Sequence, residues 1–144
     1  MIDLVLLLHA ATTVAMCGLI WFVQIVHYPL FAAVGGNDFR RYERAHVRRT
    51  GRVVGPLMSA EGITAIWLAA RPPAGCERAV PLLGVALLLL IWGATAFLLV
   101  PTHRRLEGGF SPAVHLRLLR ANWIRTILWT LRALLALWMV RPVA

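Results

Sequence analysis

The chain has 144 residues, a net charge of +9 and 60% hydrophobic residues, with a mean hydropathy of +0.73. A soluble domain of this length would be closer to half apolar; here apolar blocks of span length use up most of the chain, leaving one membrane domain over residues 1–144 and no folded basic domain to hold nucleic acid. Every basic residue is an arginine, and in a chain of spans such an excess reports topology and contact with anionic lipid.

The first apolar block is Leu4–Phe31. It is preceded by Asp3 and by no Arg or Lys, so the positive region of a cleavable signal is missing and the block is read as a retained span. The segment Gly35–Arg52 is dense in arginine: Arg40, Arg41, Arg44, Arg48, Arg49 and Arg52. Asn37 or Asp38 can cap a helix starting near Phe39, which runs into the second block, Val53–Ala70, with a bend expected at Gly55-Pro56. The next loop carries only Arg71 and Arg78, together with Cys76. Cys17 lies inside the first span, so the two thiols sit at different depths and no disulfide is expected. The third block is Pro81–Val100, and Gly108-Gly109 ends its extension. The loop Thr102–Ala121 holds Arg104, Arg105, Arg117 and Arg120. Ser111-Pro112 reads as an N-cap followed by a proline at the first helical position, opening a fourth helix over Pro112–Val140 whose span is Trp123–Val140. The expected fold class is all-α: an antiparallel four-helix transmembrane bundle with spans of about 4–31, 53–70, 81–100 and 123–140. The arginine bias places loops one and three, with their helical extensions, in the cytoplasm and both termini outside.

Inside these blocks lie Gln24, His27, Glu61, Arg125 and Arg132. Ionisable groups at membrane depth are costly and face a bundle interior or a wet cavity. At about 100° per residue, His9, Met16 and His27 fall on one line of the first helix, with Thr13 and Gln24 beside it. His46, Thr50, Leu57, Glu61 and Thr64 form a stripe on the second helix, and His115, Asn122, Arg125, Trp129 and Arg132 form one on the fourth. Such seams turn inward in lipid. A rise of about 1.5 Å per residue puts Glu61 roughly 12 Å, Arg125 roughly 9 Å and Arg132 roughly 20 Å from the cytoplasmic boundary. Glu61 is the only acid in any span, and the expected pair is Glu61–Arg125, since an Arg partner keeps a carboxylate ionised.

His27, Tyr28, His46, His103 and His115 collect in the cytoplasmic half, where histidine offers a proton switch or a metal ligand. The candidate site has Glu61, Arg125, His27 and His103 as acid, base or ligand groups, with Gln24, Tyr28, His46, Asn122 and Trp129 contacting a substrate. His46 stands in FRRYERAHVRR, whose plain reading is a solvated basic helix; His115 reads as exposed and His9 as a core or interfacial residue. Facing helices can offer His27 and His103 to a haem. Glu43-Arg-Ala-His46 has the Glu-x-x-His spacing of di-iron carboxylate bundles, but those need two such pairs and two further Glu. There is no Ser/His/Asp grouping, phosphate-binding glycine loop or HExxH. The residues support three readings of function. One is a site for a lipophilic substrate or a redox cofactor such as haem or quinone. Another is a scaffold or accessory subunit whose arginine-rich helices contact anionic lipid or a partner. The third is transport or proton movement along the Glu61–Arg125 seam, which needs a homo-oligomer.

The stretches GLIWFVQIVHYPLF, FRRYERAHVRR, VVGPLMSAEG, VPTHRRLEGGF and ANWIRTILW resemble a group of small bacterial four-span membrane proteins with no agreed activity, which implies a bacterial inner membrane. A more remote resemblance is to the four-span membrane protoporphyrinogen oxidases, carried by Leu8-His9, Trp21, Tyr28-Pro29-Leu30-Phe31, Glu43-Arg44, Pro56-Leu57-Met58 and Arg120-Ala121-Asn122. It implies a haem with a ligand near His9, although the His9-to-Pro29 spacing is longer here and that family's lysine has no counterpart. The size and layout are also similar to anthrone-oxygenase-like four-span proteins.

Overall fold

The computed structural model describes residues 4–141, and these form four long helices joined by short connections: α1 (Leu4–Ala33), α2 (Gly36–Ala70), α3 (Ala79–Leu106) and α4 (Pro112–Val140). All four are long and apolar enough to cross a membrane. Each packs on its two neighbours in the order α1–α2–α3–α4–α1, closing an antiparallel ring. The expected all-α bundle is therefore the observed architecture.

The helix ends obey local chemistry. α2 starts three residues before Phe39, because the Gly35 carbonyl takes the backbone N–H groups of Asp38 at 3.0 Å and Phe39 at 3.1 Å. Neither Asn37 nor Asp38 is the N-cap; Asp38 instead sits in the first turn, where the helix dipole favours an acid. α2 continues unbroken through Pro56 to Ala70. α3 runs past its apolar block to Leu106 and stops at Gly109, whose φ of 140° only glycine adopts without strain. α4 opens as expected with Ser111 at the N-cap and Pro112 inside the first turn.

α1 and α3 share a feature that helical periodicity does not reveal. Each contains a single π turn, Val23–His27 in α1 and Thr95–Leu99 in α3. Each turn is succeeded by one residue and then a proline, Pro29 or Pro101. Proline lacks the N–H for an i→i−4 bond, and its ring clashes with the carbonyl four residues back. The ladder widens just before it: Tyr28 N–H donates to the Val23 carbonyl and Val100 N–H to the Thr95 carbonyl. After Pro29 the chain tightens into a 3-10 turn over Pro29–Ala33. Each π turn adds a residue to the helix and rotates the residues beyond it, and such turns recur at functional sites.

The core has three layers. At the end formed by the α1–α2 and α3–α4 connections, Tyr28, Phe31, Phe39, Leu99, Leu106 and Leu118 pack together. In the middle lie Met16, Ile20, Ile91 and Trp129. Leu6, Leu68 and Met139 close the other end. Gly62 allows close approach of α2 and α3, since a Cβ there would meet the Trp92 ring at 3.0 Å. The outer surface is apolar along the spans, with Ile63, Leu89, Phe97 and Leu134 all exposed. The arginines are not evenly spread. Those of Arg40–Arg52, Arg104, Arg105, Arg117 and Arg120 are exposed at the end carrying the first and third connections.

Candidate functional site

The three polar seams do turn inward. His9, Thr13, Gln24, His46, Glu61, Thr64, His115, Asn122, Arg125 and Arg132 are all buried. They form two clusters, separated by the Met16–Ile20–Ile91–Trp129 layer.

The first cluster lies in the half of the bundle that carries the second connection and centres on Glu61, which is fully buried. Its ion-pair partner is Arg132, which corrects the expected Glu61–Arg125 pair. Axial distance alone favours Arg125, but the Arg125 guanidinium is taken up at Tyr28, and Arg132 is the arginine that reaches the carboxylate. The Thr13 hydroxyl, which donates to the His9 carbonyl at 2.7 Å, lies 3.4 Å from Glu61 Oε1. Arg132 also donates through Nη1 to the Gly84 carbonyl, and a Cβ at Gly84 would lie 3.4 Å from that nitrogen. Beside them His9 Nδ1 is 3.0 Å from Thr64 Oγ1. The Thr64 hydroxyl is committed to the Ala60 and Glu61 carbonyls, so His9 Nδ1 is the donor. A cavity of about 10 Å³ adjoins His9 and Arg132, room for about one water. A haem with a ligand near His9 does not fit this environment.

The second cluster occupies the arginine-rich end, where both π turns deliver their residues. Glu43, fully buried, contacts His103 Nδ1 at 2.5 Å. The other nitrogen of that ring, Nε2, lies 2.9 Å from the Tyr28 hydroxyl. A carboxylate on one nitrogen fixes the tautomer, so His103 donates from Nδ1 to Glu43 and accepts the Tyr28 proton at Nε2. The Arg125 guanidinium interacts with the Tyr28 hydroxyl, and Arg125 Nε has no hydrogen-bond partner among the described residues. His115 Nε2 donates to the Tyr28 carbonyl at 2.7 Å, anchoring the backbone just before Pro29. Asn122 Nδ2 donates to Gln24 Oε1 at 2.8 Å, and Gln24 Nε2 to the Leu119 carbonyl at 3.4 Å. His27 Nε2 meets His46 Nδ1 at 2.7 Å, and Thr50 Oγ1 lies 3.1 Å from the same His46 nitrogen.

Of the candidate residues, Gln24, His27, Tyr28, His46, His103, Asn122 and Arg125 thus gather at one end. Glu61 belongs to the other cluster, and Trp129 stands in the apolar layer between them, fully buried. His46 and His115 are buried rather than exposed, because the face carrying them packs against α1. The expected haem pairing of His27 with His103 does not fit either. The His46 ring stands between them, with centroids 4.6 Å from His27 and 5.4 Å from His103, and both nitrogens of His103 are engaged. Among the described residues no three His, Cys, Asp or Glu side chains are arranged to hold a metal ion. Cys17 and Cys76 are free thiols.

Glu43 is the site residue that sequence reasoning missed. Its signal was present: three residues before His46, it extends the α2 stripe by one turn. The surrounding arginines made the segment read as solvated.

The cluster contains the parts of a proton relay, an acid, an imidazole and a hydroxyl in hydrogen-bonded series with a guanidinium beside the last. Of Glu43, His103 and Tyr28, His103 is the one that touches the surface, its side chain being 13% exposed. No family model matches the chain, and no curated protein or solved structure is significantly similar to it.

Proposed function

We propose that this multi-pass membrane protein uses Tyr28 to take a proton from a hydroxyl of a lipophilic substrate, of which a quinol is the type, reached from the bilayer. The observation that carries this reading is the Glu43–His103–Tyr28 series. A nucleophile or acid joined to a base that is oriented by a third group is the general pattern of activated hydroxyls. As Tyr28 passes its proton to His103 Nε2, with Glu43 balancing the imidazolium, the Tyr28 oxygen accepts the proton of the substrate hydroxyl, and Arg125 stabilises the negative oxygen in between. His103, at the edge of the cluster, is then the group that exchanges protons with water. Gln24 and Asn122 provide hydrogen bonds to the substrate. The arginine bias puts this end in the cytoplasm.

The test is binding of a short-chain ubiquinol analogue to the protein in mild detergent, read by tryptophan quenching. Saturable binding is expected, weakened about tenfold by Tyr28→Phe or Glu43→Gln, the loss of about one hydrogen bond, with the melting temperature nearly unchanged. Absence of saturable binding, or equal binding by the variants, defeats the reading.

One observation favours a second reading, a scaffold or accessory subunit: the exposed arginines crowd one end of the bundle. Neutralising Arg40, Arg41 and Arg44 together would then abolish the cellular phenotype while Tyr28→Phe leaves it intact.

A further inference from the structure

The outer face between α3 and α4 carries two grooves. The one toward the second connection, bordered by Leu83, Leu87, Leu131, Leu134 and Trp138, measures about 480 Å³ and is lined by no charged residue. The other lies at the arginine-rich end and measures about 290 Å³, near the lower limit of the roughly 300–1,000 Å³ of small-molecule pockets. Its walls are Leu98, Leu116 and Ile124, its floor is Ala121, and Arg117 and Arg120 stand on its rim.

We infer that this second groove seats an anionic phospholipid, with the phosphate between Arg117 and Arg120 and the start of an acyl chain against Leu98 and Ile124. Charge complementarity carries the assignment. Arg117, Arg120 and Ile124 are spaced three and four residues apart, so they share one face of α4, polar at the connection end and apolar toward the span. An amphiphile has that same order of head and chain. Both arginines are exposed, and neither has an ion pair or hydrogen bond among the described residues; paired guanidinium groups bind phosphate oxygens with good geometry. The groove floor is small because Ala121 packs inward on the cluster containing Tyr28 and Phe31, so the head can approach the helix closely. The uncharged groove on the same helix pair is an internal control: it suits acyl chains of any lipid and selects none. The inference does not depend on the relay, since no relay residue lines the groove.

Native mass spectrometry of the full chain in mild detergent tests it, with phosphatidylglycerol and phosphatidylcholine added separately. One phosphatidylglycerol should be retained in preference to phosphatidylcholine. Arg117→Gln with Arg120→Gln should weaken that retention about thirtyfold, at about 1 kcal/mol for each arginine near an anionic surface. Arg48→Gln with Arg49→Gln removes the same charge from the same end and should change it by less than about twofold. Equal losses from both pairs would overturn the site in favour of diffuse attraction to the arginine-rich end. Full displacement of the lipid by inorganic phosphate, with the chain contributing nothing, would also overturn it. All four residues are exposed, so folding survives either pair of changes.

Discussion

The two buried glutamates of this protein sit in similar burial and do different things. Glu61 is paired with Arg132; Glu43 is paired with His103, which in turn holds Tyr28. A guanidinium keeps its proton under all ordinary conditions, so the Glu61 cluster is a fixed pair that joins α2 to α4 and, through the Gly84 carbonyl, to α3. An imidazole and a phenol can pass a proton between them, so the Glu43 cluster can change state. Full burial of a carboxylate therefore does not identify a working site; the mobility of its partner's proton does.

The largest expected effect comes from breaking the fixed pair. Arg132→Ala leaves Glu61 buried without its counter-charge and should cost about 3–5 kcal/mol, read as a lower melting temperature and yield in detergent. Replacing both Arg132 and Glu61 by leucine should restore much of that loss, since a buried pair exchanged for apolar packing is often neutral. If the double variant stays as unstable as the single one, the Glu61 cluster has a role beyond locking the helices.

Trp129→Ala attacks the layer between the clusters. A buried tryptophan truncated to alanine costs about 3–5 kcal/mol, and the opened space lies between two polar groups. Faster hydrogen exchange at Thr126 and Asn122 would show that the layer is what keeps the clusters apart.

Changes in the second cluster should barely move stability. Glu43→Gln and Tyr28→Phe each remove or weaken one hydrogen bond, worth about 1 kcal/mol, while the His103 ring nitrogens should shift in ¹⁵N spectra. Pro29→Ala tests the π turn itself. The helix can then regain an i→i−4 bond, at the expense of the Tyr28–His103 contact, and the two terms nearly cancel. The expected result is an altered His103 spectrum with a melting temperature close to the parent's. An unchanged spectrum would mean that tertiary packing, rather than the proline, holds the π turn.

The smallest effect is at the surface, where Arg48→Gln should alter stability by no more than about 0.5 kcal/mol.

Much of this architecture is legible in the amino-acid order because it rests on local rules. Span number comes from the length of apolar runs, the α4 boundaries from Ser111-Pro112, and the inward seams from the angular period that aligns Glu61 with Thr64 and Asn122 with Arg125. Partner choice is a different kind of quantity. Whether Arg125 or Arg132 meets Glu61 depends on the axial offset and rotation between α2 and α4, which no stretch of either helix encodes alone. Arg125 meets Tyr28 because the π turn before Pro29 shifts the register of α1. His103 meets Tyr28 because a matching turn before Pro101 does the same in α3. Glu43, in a run that reads as solvated, is buried only because α1 and α3 close over that face of α2. Periodicity and composition thus determined the helices and the faces they bury, while the pairing of buried charges was settled by how four helices pack, since a side chain's partner is set by neighbours far away along the chain.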